Sequence, residues 1–174
     1  MSLMNRRSLL AVPTLLMLTA CAGTYVPGEE PSFKQDLARP GAHLDTAAAA
    51  SLISGYRTSN GLPAVTLDPV LMRMAQEQAQ AMAARDKLSH TVLKPFDARL
   101  KGAGYDAERA AENIAAGYHT LGQAFSGWRE SPEHKSNMLL PGATRMGIAA
   151  VYAPKSKYKV FWALVLAKPD KRPG

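Results

Sequence analysis

Residues 158–167, Tyr-Lys-Val-Phe-Trp-Ala-Leu-Val-Leu-Ala, limit the fold more than any other stretch, because they are apolar on both faces at a period of two. Tyr158, Val160, Trp162, Leu164 and Leu166 line one face; Phe161, Ala163, Val165 and Ala167 line the other. A strand without a polar face belongs in a sheet that is covered on both sides. Residues 146–153 read as a second strand, joined to the first by the turn Pro154-Lys155-Ser156-Lys157. The covering layers must come from upstream, where the apolar period lengthens from two to 3.6.

Five helical segments supply them. Asp45 or Thr46 can cap a helix with Ala49, Leu52, Ile53 and Tyr56 at i, i+3, i+4 and i+7, which Asn60-Gly61-Leu62-Pro63 breaks. Asp68-Pro69, a cap with proline at the first helical position, opens a second helix with Leu71, Met74, Ala75, Ala79 and Met82 on one face. A short helix is expected over 96–101, ended by Gly102-x-Gly104. Thr120 begins another, with Leu121, Ala124, Phe125 and Trp128 as its stripe, and Ser131-Pro132 repeats the cap-plus-proline signature. This pattern predicts an α+β fold, an α-β-α sandwich in which a small antiparallel sheet has helices on both faces.

That domain is expected over 45–168, and 174 residues support one such core. A chain 47% hydrophobic and 20% charged is not disordered. In front of it, residues 1–20 divide into a basic start, Asn5-Arg6-Arg7, and an apolar stretch over 9–18. The stretch is shorter than the roughly 20 residues a spanning helix needs. It runs into Leu18-Thr19-Ala20-Cys21, the pattern of a lipoprotein signal peptide with its lipobox. The small residues suit a signal peptidase and the Cys21 thiol accepts diacylglycerol, so several acyl chains would hold the protein to a membrane. Ala22 after the cysteine resembles lipoproteins sorted to the outer membrane, which in a Gram-negative cell means its periplasmic face. Asn5-Arg6-Arg7-Ser8-Leu9-Leu10 also fits a twin-arginine signal, while two arginines are a normal basic start; both export routes stay open.

Residues 21–44, with Pro27, Gly28, Pro31, Pro40 and Gly41, read as the lipidated cysteine and a flexible tether, and 169–174 as a loose tail. Cys21 is the only cysteine, so no intrachain disulfide forms. The formal charge of +7 falls to +5 once residues 1–20, with Arg6 and Arg7, are removed. That balance favours anionic headgroups or wall polymers. The basic residues form no aromatic-interleaved stripe, which argues against nucleic acid.

Among the histidines, His43 lies in the tether and His119 in a loop before a helix cap, and both are expected on the surface. His90 follows the second helix in Leu88-Ser89-His90-Thr91. His134 lies in the first turn of the 131–132 helix, whose positive end keeps the ring neutral, the form that binds a metal or acts as a base. Asn137, one turn on, points from the same side. No His-Glu-x-x-His helix and no Gly-x-Ser-x-Gly elbow occurs, so spacing alone gives none of these residues a role.

Ordered motifs add to this. They are Gly61-Leu62-Pro63 with Leu67-Asp68-Pro69; Met82-Ala83-Ala84-Arg85 leading to Ser89-His90-Thr91; Glu112-Asn113-Ile114-Ala115; and Trp128-x-x-Ser131-Pro132-x-His134-x-x-Asn137-Met138-Leu139 with Gly147-Ile148 beyond. With them the chain from 45 to 168 resembles a domain of the CAP superfamily: cysteine-rich secretory proteins, antigen 5 and pathogenesis-related proteins. The short bacterial branch is the nearest. The resemblance implies an α-β-α sandwich and a cleft that usually holds two histidines and two glutamates. His90, Glu112 and His134 fall on three of those positions. Ser131 stands where the fourth glutamate is expected, and Ala111 replaces the usual glycine before Glu-Asn.

Together these observations lead to an expected envelope-anchored lipoprotein, with a non-catalytic domain that binds a polymer, protein or lipid of the envelope. Its cleft, with His90, Glu112, His134, Asn137 and Ser131, would take zinc or another divalent cation on His90, His134 and Glu112. The alternative is a peptidase-like hydrolase, metal-dependent or using Glu112 and His134 to activate water. Ser89, Ser131 and Ser136 keep a serine nucleophile open. A structural role is the further alternative, with the same residues forming a hydrogen-bonded cluster that orders the loops.

Overall fold

The two-faced strand, β4 (Val160–Pro169), is an inner strand of a four-stranded sheet. Its companions are β1 (Thr66–Leu67), β2 (Ala107–Ala116) and β3 (Arg145–Tyr152), in the order β1-β3-β4-β2. The computed structural model describes residues 30–170. The expected signal peptide, Cys21, the tether up to residue 29 and the tail from 171 lie outside the described residues.

Both faces of β4 are covered, as its pattern requires. On one side α1 (Thr46–Thr58), α4 (Leu121–Glu130) and α5 (Pro132–Met138) pack on Val160, Trp162, Leu164 and Leu166. There Trp128 and Trp162 meet edge to face, with ring centroids 6.3 Å apart. On the other side α2 (Pro69–Arg85) and α3 (Phe96–Gly102) close on Phe161, Ala163, Val165 and Ala167. The α-β-α sandwich is therefore the observed fold. Tyr158 departs from the expected alternation and packs beside Phe161, because Lys159 takes a positive φ of 63° and turns the chain before the strand begins.

The caps form where the sequence places them. Asp45 accepts from the Ala48 N–H, and Asp68 accepts from Val70 and Leu71 with Pro69 in the first turn. Thr120 and Gln123 make a reciprocal capping box. Ser131 precedes α5 but contributes no side-chain cap.

Further expectations are corrected. The sheet is mixed rather than antiparallel, since the two-residue β1 runs parallel to β3. Strand β2 has no counterpart among the expected strands: its Ala-Glu-Arg-Ala-Ala-Glu-Asn-Ile-Ala-Ala carries little strand propensity, and pairing with β4 imposes the conformation. Finally, residues 31–44 pack on the domain instead of serving as tether. Leu37 is buried, its N–H donates to the His119 carbonyl at 2.8 Å, and Ala38, Ala42 and Leu44 join the same core. One apolar residue anchored this way is invisible to a periodicity test. At the other end, residue 169 closes β4 and the Asp170 N–H donates to the Asp106 carbonyl, so the chain is ordered two residues into the expected tail.

Candidate functional site

Strand β2 is an edge of the sheet, and Glu112 and Asn113 are neighbours on it. Alternation sends their side chains to opposite faces. Glu112 is paired with Val165 and turns toward α2 and α3, whereas Asn113 is paired with Leu164 and turns toward α5. The two residues thus reach both helical layers from one point on the sheet edge.

On the first side Glu112 lies between two partners. His90, from the loop 86–95 linking α2 to α3, brings Nδ1 to 2.8 Å from Oε1. Arg99, from α3, donates from Nη2 to Oε2 at 2.6 Å. The Glu112 side chain is 2% exposed and Arg99 8%, against 51% for His90. The carboxylate charge is therefore buried and balanced by a guanidinium, while the imidazole faces solvent. Arg99 is fixed further by the Lys94 carbonyl at 3.2 Å from Nε and by the Phe96 ring beneath its guanidinium. Sequence reasoning missed Arg99. A buried carboxylate requires a cationic partner, but nothing in the sequence singles out this one.

On the second side Asn113 donates from Nδ2 to the His134 carbonyl at 2.9 Å. Asn137 donates to the Asn113 side-chain oxygen at 2.9 Å and to the Glu112 carbonyl at 3.2 Å, satisfying a backbone acceptor of the edge strand. Asn137 therefore joins α5 to β2 rather than presenting a free group. His134 is held below the ordinary histidine range, by burial first and by the charge of His90 next, with Glu133 opposing. Its ring favours the neutral form, as expected, but desolvation rather than the helix end is the main cause. Ser131 is half-buried and donates to Glu133 at 3.2 Å, with no bond to the cluster. His43 and His119 are exposed.

This donor set does not match a three-ligand metal centre. Both oxygens of Glu112 are engaged, one of them by a permanent cation that disfavours a second positive charge there. Among the described residues no three His, Cys, Asp or Glu side chains converge as metal ligands. The two imidazoles are the remaining donors. A general base at Glu112 would likewise have to release His90 or Arg99 before an oxygen could take a proton.

The chain resembles known proteins over the same region. The family model for CAP, the cysteine-rich secretory protein family, matches residues 50–166. The uncharacterized protein YkwD of Bacillus subtilis is 30% identical over 120 residues, covering 61% of this chain and 46% of that protein. The chain thus spans less than half of that relative's length. Among solved structures, an extracellular protein containing an SCP domain from Bacillus anthracis aligns with a TM-score of 0.61 at 23% identity, over 70% of this chain and 39% of that one. An outer surface protein from Borrelia burgdorferi aligns with a TM-score of 0.63 at 20% identity, over 75% of this chain and 99% of its own. At such identities the likeness is one of fold. The family match extends across most of the domain, from within α1 to within β4, and the chain belongs to the CAP family of cysteine-rich secretory proteins.

Proposed function

We propose that this protein is an exported binding domain, tethered to the envelope through Cys21, whose His90–Glu112–His134 cleft holds a ligand without turning it over. The observation that carries the reading is the engagement of both Glu112 oxygens, one by His90 and one by Arg99. Glu112 then acts on the ligand through His90: its Oε1 accepts from Nδ1–H, which fixes the ring and leaves Nε2 as the nitrogen for a partner. The half-exposed imidazole provides the point of contact, and the neighbouring neutral ring of His134 provides a second. Export is supported by the solved relatives described as an extracellular and an outer surface protein and by the leader pattern of residues 1–21. No helix among the described residues is long and apolar enough to cross a membrane.

Zinc distinguishes this reading from a metal centre. The purified protein, stripped with chelator, is titrated with zinc by calorimetry beside His90→Ala and His134→Ala. The expected result is no tight one-to-one binding in the parent, because two imidazoles without a third donor make a weak site. Stoichiometric binding that both variants abolish would replace this reading with a metal-loaded cleft and reopen hydrolysis.

A further inference from the structure

A cavity of about 490 Å³ lies between α2 and α3, beside the His90–Glu112–His134 cluster, with which it shares Arg99. Small-molecule sites run from about 300 to 1,000 Å³, so its size is that of a ligand pocket. Arg73 and Glu77 enter it from α2, Lys94 and Arg99 from the loop and α3, and Met74 and Leu93 give it apolar wall. Leu93 is one of three large hydrophobic residues exposed among those described. Arg99, although paired with Glu112, keeps Nη1 buried with no hydrogen-bond partner. A buried donor left unmet is unfavourable, and a ligand oxygen brought against it would relieve that.

We propose that this cavity binds the carboxyl-terminal end of a peptide closing on an aliphatic residue. The charges select a monoanion: Glu112 balances Arg99, Glu77 balances one of the other two cations, and one positive charge remains. Arg73 and Lys94 take the carboxylate, and Arg99 can add only Nη1, because its Nη2 and Nε are held by Glu112 and the Lys94 carbonyl. Glu77 accepts from the peptide N–H, a bond that a simple fatty acid cannot return. Met74 and Leu93 cover the aliphatic side chain. The site goes beyond the cleft and does not depend on what the cleft binds.

Acetyl-alanyl-leucine is titrated into the full chain by calorimetry, with the leucinamide form and octanoate as comparisons. The same titrations are run on Arg73→Glu, Lys94→Glu and Ala98→Trp, the last filling the cavity from α3. One-to-one binding of the peptide acid is expected. Removing the carboxylate, or reversing either charge, should weaken it about tenfold or more. Octanoate should bind more weakly than the peptide, and Ala98→Trp should abolish binding. In the parent protein, the Arg99 Nε–Hε resonance should move on adding the peptide acid, a readout that requires no variant to fold. The proposal is overturned by an absence of binding at millimolar peptide, by equal binding of the amide, or by octanoate binding as tightly. A stationary Arg99 resonance, or folded variants that bind like the parent, would overturn it equally.

Discussion

At the residue scale, the site rests on a side chain that never touches it. Arg57 is fully buried near the end of α1, and its partners are backbone carbonyls. Nε donates to Pro63 at 3.0 Å, Nη1 to Met138 at 2.8 Å and Leu140 at 3.1 Å, and Nη2 to Ala143 at 2.8 Å. Three of these acceptors belong to the end of α5 and the segment leading into β3, so one guanidinium fixes the helix that carries His134 and Asn137. Arg57→Met removes every one of these donors and leaves buried acceptors unmet, for an expected loss of about 3 kcal/mol or more. Arg57→Lys should restore little of it, since a point ammonium cannot span acceptors arranged around a planar fork. Urea unfolding measures both. A loss under about 1 kcal/mol for Arg57→Met would mean that water replaces the guanidinium and that Arg57 does not hold α5.

At the element scale, α2 and β3 approach so closely that only glycine fits between them. A methyl group on Gly147 would fall within the backbone of Leu71 and Met72. Gly147→Ala must push α2 off the sheet or bend β3, at an expected cost of about 2–3 kcal/mol. The melting temperature should drop by roughly 10 °C; an unchanged value would show that the two elements separate freely. The helices were legible because their signals are local: Asp68-Pro69 and Thr120 with Gln123 announce their own starts, and 3.6-residue stripes mark the buried faces. So was β4, whose two apolar faces allowed one environment. Strand β2 was not, for its alanines and charges become a strand only through pairing with β4 across more than 40 residues of chain. The site followed the same division. His90, Glu112 and His134 came from the family resemblance, Asn137 from its helical spacing to His134. Arg99 is set by how α3 docks, which no local pattern encodes.

At the scale of the whole molecule, the proposed tether would set how far a domain with two cores stands from a membrane. The described chain packs on the domain from the short helical turn Ser32–Lys34 onward, eleven residues after Cys21. A flexible segment of that length would span on the order of 18 Å, shorter than a tether running to residue 44. The cleft and the cavity would then stay within a domain's width of the bilayer, where a ligand must be a component of the envelope. Lipidation at Cys21 is the condition for this. The expected outcome is that the protein, produced in a bacterium that processes lipoproteins, separates into the detergent phase on warming a Triton X-114 extract. Cys21→Ser should move it to the aqueous phase, because one leader without acyl chains is too short to anchor it stably. Its thermal unfolding should be unchanged, since Cys21 precedes every element of the domain. If the Cys21→Ser protein stayed in the detergent phase, the apolar leader itself would be the anchor. If the parent were already aqueous, no lipid would be attached, and the cleft would meet its ligand in free solution.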